Sequence, residues 1–320
     1  MSSKAQRLVY IGKETIASEG VAVTVDVALR ALCDLEAKPD KIIHDENIGS
    51  FAPTRHTIGS IMAEGKLTMD GYFEHVPYPI SMALGDGAVG SISGGHYPWT
   101  FAIPNATVDT FATYTLEYSD GVNHIVRAAD VFAKGMEIKG EAGKVWQFIA
   151  DIVGATTTFP SAVSASPTPP AAPVSMRMAD TIMYMDDLYA NIGTTAMPKL
   201  ISFSWKLEDL QHQKLFAGSL YPTGRGNDRW KITLEVIAEM EQTKIESEKD
   251  KLLTTGQTAI RIKCDPGTPD CAIDCMYMLA EVSSLDDRDG NNIVKMTYMG
   301  EKGAAGDTGQ ITANSTLASL

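Results

Sequence analysis

Residues 200–207 read Leu-Ile-Ser-Phe-Ser-Trp-Lys-Leu. Ile201, Phe203, Trp205 and Leu207 alternate with Ser202, Ser204 and Lys206. A period of two puts apolar side chains on one face of a pleated strand and polar ones on the other. This is the pattern of an antiparallel sheet with one packed face and one wet face. It recurs along the chain. Leu67, Met69, Gly71 and Phe73 oppose Lys66, Thr68, Asp70, Tyr72 and Glu74; Trp146, Phe148, Ala150 and Ile152 oppose Gln147 and Asp151; Trp230, Ile232, Leu234 and Val236 oppose Lys231, Thr233 and Glu235. The chain therefore reads as mainly β.

Turn chemistry separates these runs. Asp120-Gly121 lies between Tyr114–Tyr118 and Val122–Arg127, and Asp-Gly tolerates the positive φ of a type I′ hairpin turn. Gly140-Glu141-Ala142-Gly143 joins Met136–Lys139 to Lys144–Ile152, and Asp289-Gly290-Asn291 joins Met276–Ser283 to Ile293–Met299. Two short helices are expected. One covers Val76 to Leu84, with Pro77 and Pro79 in its first turn and Gly85 as its stop. The other lies in Glu239 to Leu253, whose charge run Glu239–Lys251 reads as a solvated helix face.

Two segments lack periodicity. Asp40–Glu64, with Gly49, Pro53 and Gly59, reads as a long loop between strands, and such loops are usually functional or disordered. Thr156–Ser175 carries Pro167, Pro169, Pro170 and Pro173 among Ala, Ser and Thr, a semi-extended linker composition without a core role. It divides the chain into residues 1–155 and 176–320, with 156–175 as a linker or long loop. The halves are expected to form one intertwined domain.

Nothing in the sequence nominates a catalytic residue. The net charge is −13, from 40 acidic against 27 basic residues, and no Lys/Arg cluster offers a grip on phosphate. Cys264, Cys271 and Cys275 lack the C-x2-C spacing of a zinc site, and these thiols are expected to be reduced. Gly85-Asp86-Gly87-Ala88-Val89-Gly90 spells G-x-G-x-x-G, but a helix precedes it where a dinucleotide site needs a strand. Asp286-Asp287-Arg288-Asp289-Gly290 lacks the position-one acid and position-twelve glutamate of a calcium loop, and reads as a hairpin tip. No metal and no cofactor is expected. No apolar run approaches the ~18 residues of a membrane span, and the short Leu8–Ile11 stretch is no secretory core, so synthesis without export and no membrane partner are expected.

A series of motifs, in order, resembles the tail tube proteins of long-tailed bacteriophages. Gly12-Lys13-Glu14-Thr15 with Val21-Ala22-Val23 opens it. Gly65-Lys66-Leu67-Thr68-Met69 leads to Tyr78-Pro79-Ile80-Ser81-Met82-Ala83-Leu84-Gly85. Tyr97-Pro98-Trp99-Thr100-Phe101, then Thr113–Tyr118 with the Asp120-Gly121 turn, and the Lys134–Ala150 hairpin follow. Asn191-Ile192-Gly193-Thr194-Thr195, Leu200–Leu207, Ser219-Leu220-Tyr221-Pro222, Arg229–Val236 and a closing strand near Ile311–Leu317 are similar to the return pass. The Pro-rich segment and the Glu239–Leu253 helix have no counterpart in that pattern.

The resemblance implies a tail-tube-like antiparallel β-sandwich or barrel with one or two short flanking helices. It implies a non-enzymatic structural subunit whose hexameric rings stack into a conduit for genome delivery. Its partners would be copies of itself, a tape-measure protein, and tail terminator and tail-tip proteins. Double-stranded DNA would pass without specific binding. The protein would be assembled in the host bacterial cytoplasm and reside in the virion tail. On this reading Asp40–Glu64 is an inter-ring assembly loop, with Phe51, Pro53, Arg55 and His56 as its contacts. The acids lining the lumen would come from Asp70, Glu74, Glu137, Asp151 and Glu235, and a net-negative wall would repel phosphate. The alternatives are another virion structural protein such as a tail terminator, or a ligand-binding β-sandwich using Tyr97, Trp99 and Trp230.

Overall fold

The computed structural model describes residues 8–15, 20–44, 55–103, 112–119, 125–170, 173–197, 199–239, 242–254, 256–288, 291–301 and 308–320. The chain begins with β1 (Leu8–Lys13), β2 (Val27–Leu29) and β3 (Ala31–Cys33), and continues into a long hairpin of β4 (Glu36–His44) and β5 (Arg55–Asp70). Helix α1 (Pro77–Leu84), β6 (Ala88–Val89), β7 (Tyr97–Ala102) and β8 (Tyr114–Ser119) lead to β9 (Ile125–Glu141). β10 (Gln147–Gly154) and β11 (Thr156–Thr158) run back along β9. Then come β12 (Thr181–Asp186), β13 (Ala196–Met197), β14 (Leu200–Glu208), and a two-stranded ribbon of β15 (Gln211–Lys214) and β16 (Gly224–Asn227). β17 (Lys231–Ala238), helix α2 (Gln242–Thr254), β18 (Gln257–Cys264), β19 (Cys271–Arg288), β20 (Asn291–Gly300) and β21 (Gly309–Ser315) complete the chain.

The fold is mainly β, with antiparallel sheets and few helices. One wall is ordered β4-β5-β10-β9-β14-β17-β20-β19. A second is ordered β13-β12-β18-β19-β21-β7-β6. A smaller sheet, β2-β1-β8-β9-β11, shares β9 with the first wall. β9 passes from one sheet to the other next to Asp130, whose φ of 55° is unusual for a residue with a Cβ.

The alternation read from the sequence is what closes the sandwich. Phe203, Trp205 and Leu207 of β14 are buried. Trp146 meets Phe203 edge to face at 4.9 Å, and its indole N–H donates to Thr181 Oγ1 at 2.9 Å, tying the first wall to β12 of the second. Both chain halves contribute to one hydrophobic cluster, with Ile11, Leu116 and Phe148 beside Ile273, Tyr298 and Ile311. Helix α1 is buried along its whole length, begins with Pro77 and ends at Gly85. Gly87 follows, and a Cβ there would stand 2.6 Å from the Phe101 ring. That glycine of the G-x-G-x-x-G spelling therefore serves ring packing.

Four expectations are corrected. Asp40–Glu64 is not one loop: residues 36–44 and 55–70 are paired strands. Its missing hydrophobic alternation has a physical reason, since β4 is almost wholly exposed and has no buried face to encode. The strand expected to reach Glu74 ends at Asp70. Thr156–Ser175 does pack. β11 pairs with β9, Val163 and Ala165 lie against Tyr10, Val25 and Ala28, and the Ser164 N–H donates to buried Glu117 at 2.8 Å. Finally, α2 is not uniformly solvated. Glu248 is buried, accepting from Lys251 at 2.8 Å, Thr258 at 3.0 Å and Tyr298 at 3.3 Å.

Candidate assembly surfaces

The outer face of the first wall collects four of the five acids expected at a lumen. β10 places Asp151 opposite Lys66 and Gln147 opposite Asp70 of β5. β9 sets Lys139 beside Gln147 and Glu137 beside Ile149. β14 continues with Ser204 beside Lys139 and Lys206 beside Glu137, and β17 with Glu235 beside Ser204. Cross-strand partners share a face, so Asp70, Asp151, Glu137 and Glu235 point the same way. Glu74 does not join them. It lies beyond the strand end, where its carboxylate accepts the Val174 N–H at 3.1 Å and so anchors the Pro-rich segment.

This face alternates in charge. Lys66 stands 3.3 Å from Asp151, Lys206 3.9 Å from Glu137, and Lys295 3.4 Å from Glu235. Glu137 also accepts from Ser204 at 2.8 Å. A shallow groove of about 720 Å³ crosses the wall, lined by Asp70, Lys139, Glu141, Lys144, Phe203 and Glu235 among others. Partly exposed pairs of this kind contribute little to stability. Their effect is to hold the local field small while keeping the face wet.

The second surface is the β4–β5 hairpin. Ile42 is 49% exposed, Ile43 65% and Ile58 42%. The Ile61 N–H donates to the Leu220 carbonyl at 2.8 Å, so the loop after β15, with exposed Phe216 and Leu220, meets the hairpin. Among the assembly contacts expected from sequence, Phe51 and Pro53 lie outside the described residues. Arg55 begins β5, and its side chain is also outside them. His56 is exposed and sits opposite Ile43. Sequence reading missed Ile42, Ile43 and Ile58, although two adjacent isoleucines in a stretch without a buried face are a usable signal.

The three aromatics considered for a ligand site are packed. Trp99 is buried, stacks on Phe101 at 5.8 Å and donates to the Leu317 carbonyl at 2.9 Å. Tyr97 and Trp230 lean on the main cluster. Cys264 and Cys271 are register partners across β18 and β19, and all four thiols are buried. Burial pushes Cys33, Cys264 and Cys275 up to about 12, which keeps them protonated. Among the described residues no helix is long and apolar enough to cross a membrane.

No family model matches the chain, and no curated protein matches it.

Proposed function

We propose that this chain is a structural subunit of a bacteriophage tail tube, self-assembling into stacked hexameric rings and carrying out no catalysis. One observation carries the reading beyond the motif resemblance. The β4–β5 hairpin extends with almost no burial on β4 while exposing Ile42, Ile43 and Ile58. A long strand edge with exposed apolar side chains is an aggregation hazard unless another chain covers it. Copies in a ring or in the next ring would do so, with Phe51, Pro53, Arg55 and His56 as the proposed contacts. Contacts between unlike surfaces extend along an axis without closing, which gives a tube.

The outer face of the first wall, with Asp70, Glu137, Asp151 and Glu235, is the proposed lumen lining. The lysines paired to three of these acids make its field weaker than the net charge of −13 alone implies. The proposed wall lets DNA slide because three of its lysines, Lys66, Lys206 and Lys295, are already engaged by carboxylates. Tape-measure, terminator and tip proteins are the further partners of this reading, and the virion tail is its location.

Sedimentation velocity and negative-stain microscopy over a concentration series test it. Rings and open-ended tubes are expected. Rings that never stack would favour a tail terminator. A single monomeric species at every concentration, even with tail extract added, would favour a ligand-binding module and end the tube reading.

A further inference from the structure

The ribbon of β15 and β16 covers a buried polar layer. Gln211 is 2% exposed and Gln213 half-buried, and among the described residues neither side-chain amide has a hydrogen-bond partner. Gln213 is the register partner of Arg225, so the three polar side chains occupy the ribbon's inner face. His212 and Lys214 occupy the outer one, where His212 pairs with Asp228 at 2.7 Å. The inner face looks onto β9. Arg225 lies over the Phe132 ring at 5.6 Å, and its Nε stands 4.0 Å from Asp130 Oδ1.

Asp130 is the strained member of this layer. Its φ of 55° is held at the corner where β9 changes sheets. Oδ1 is buried and has no hydrogen-bond partner among the described residues. The Asp130 N–H donates to Glu14 Oε1 at 3.0 Å, which brings a second buried carboxylate beside the first. Glu14 is saturated: Thr115 Oγ1 donates to it at 2.8 Å, Thr113 Oγ1 at 3.1 Å and the Gly20 N–H at 3.1 Å. The charged groups facing Asp130 among the described residues are thus Glu14 from the end of β1 and Arg225 from β16. Arg127, nearby on β9, is engaged by Glu117. Asp130 thus lies between a second acid, Glu14, and the Arg225 guanidinium.

We propose that Asp130 is a proton-operated latch for the β15–β16 ribbon, docked when its carboxyl is protonated and loosened when it ionises. Burial, with Glu14 adding to it, raises Asp130 to about 7 even with Arg225 Nε 4.0 Å away. Lifting the ribbon would return the carboxyl to water and to its ordinary value of 3.8. Between those values the docked state holds a proton that the lifted state does not. Each pH unit of rise then favours lifting by up to about tenfold, until the docked carboxyl has also ionised near neutrality. The ribbon carries the loop that meets the β4–β5 hairpin, so its docking also sets how that surface is presented.

The test is hydrogen exchange on the full chain at pH 5 and pH 8, with rates corrected for intrinsic exchange, in the wild type and in Asp130→Asn. Asparagine tolerates positive φ and mimics the protonated form. Wild-type protection over residues 211–227 is expected to fall at least tenfold from pH 5 to pH 8, while Asp130→Asn stays protected at both. Equal behaviour of the two proteins would overturn the latch. Carbon NMR of the Asp130 carboxyl in the wild type gives a reading independent of the variant. A midpoint near 7 supports the proposal, and one near 4 ends it.

Discussion

The carboxylate of Glu117, which has no solvent-exposed surface, accepts the Arg127 Nε–H at 2.5 Å across β8 and β9. Its other oxygen accepts the Ser164 N–H at 2.8 Å. One buried charge therefore joins the small sheet to the Pro-rich segment. Removing one partner of a buried pair costs more than the pair itself contributes, because the other charge stays desolvated. Glu117→Ala is expected to destabilise the fold by about 3 kcal/mol. Urea unfolding at pH 7 measures this, and limited proteolysis should then cut within residues 159–170. A change below about 0.5 kcal/mol, the range of ordinary surface substitutions, would show that the segment is held by other contacts.

Helix α2 makes a parallel case. Glu248 is the buried acceptor for Lys251, Thr258 and Tyr298, and Lys251 also reaches Asp187 at 2.7 Å. Glu248→Ala leaves the Thr258 hydroxyl without its acceptor and the Tyr298 hydroxyl with only the weakly accepting Met296 thioether inside the protein. A loss of about 2 to 4 kcal/mol is expected. Glu246→Ala, at an exposed position of the same helix, is expected to change stability by less than about 0.5 kcal/mol. Similar losses in both variants would mean that helix propensity, and not the buried carboxylate, holds α2.

These two sites mark where sequence reading stops. Strands with one buried face announced themselves, because Phe203-Ser204-Trp205 and Ala150-Asp151-Ile152 encode burial at period two. β4 encoded nothing, because both of its faces meet solvent within the subunit. The Pro-rich segment packs through a serine N–H, Val163 and Ala165, which a composition argument treats as linker. Glu248 looked like one charge among many until Thr258 and Tyr298 were seen around it. The Asp130 layer joins β1, β9 and β16, and only the tertiary fold brings those strands together.

A second titrating group works against the latch. His75 is 1% exposed, and neither ring nitrogen has a hydrogen-bond partner among the described residues. Burial, with a smaller push from Arg30, lowers it to about 4 from 6.5. Between those values the unfolded chain binds a proton that the native state excludes. Stability is therefore lost as pH falls from about 6.5 to about 4, and the separation corresponds to at most about 3 kcal/mol. Asp130 acts with the opposite sign over much of this range, so the two partly cancel in the wild type. Denaturant midpoints at pH 5 and pH 7 should be compared in Asp130→Asn, with and without His75→Phe. The single variant is expected to weaken in acid and the double variant not to. Equal acid sensitivity in both would assign the effect to carboxylates elsewhere.

The last prediction separates assembly from folding. Ile43 is 65% exposed on β4, opposite His56, and buries little within its own subunit. Its replacement by lysine should therefore leave subunit stability within about 0.5 kcal/mol of the wild type. In a ring or between rings, the same side chain would lie under a neighbouring chain, and a buried ammonium without a partner is costly there. Losing a central apolar anchor typically costs 2 kcal/mol or more, about a thirtyfold weakening of each contact. A tube repeats each contact many times, so Ile43→Lys is expected to abolish polymerisation while the subunit unfolds normally. Leu253→Lys is the matched control, since Leu253 is 86% exposed at the end of α2 and far along the chain from the hairpin. Sedimentation and microscopy of both variants decide it. Tubes from Leu253→Lys but none from Ile43→Lys place the subunit contact on the hairpin. Normal tubes from Ile43→Lys would move that contact to another surface, with the exposed Phe216 and Leu220 of the ribbon loop the next to test.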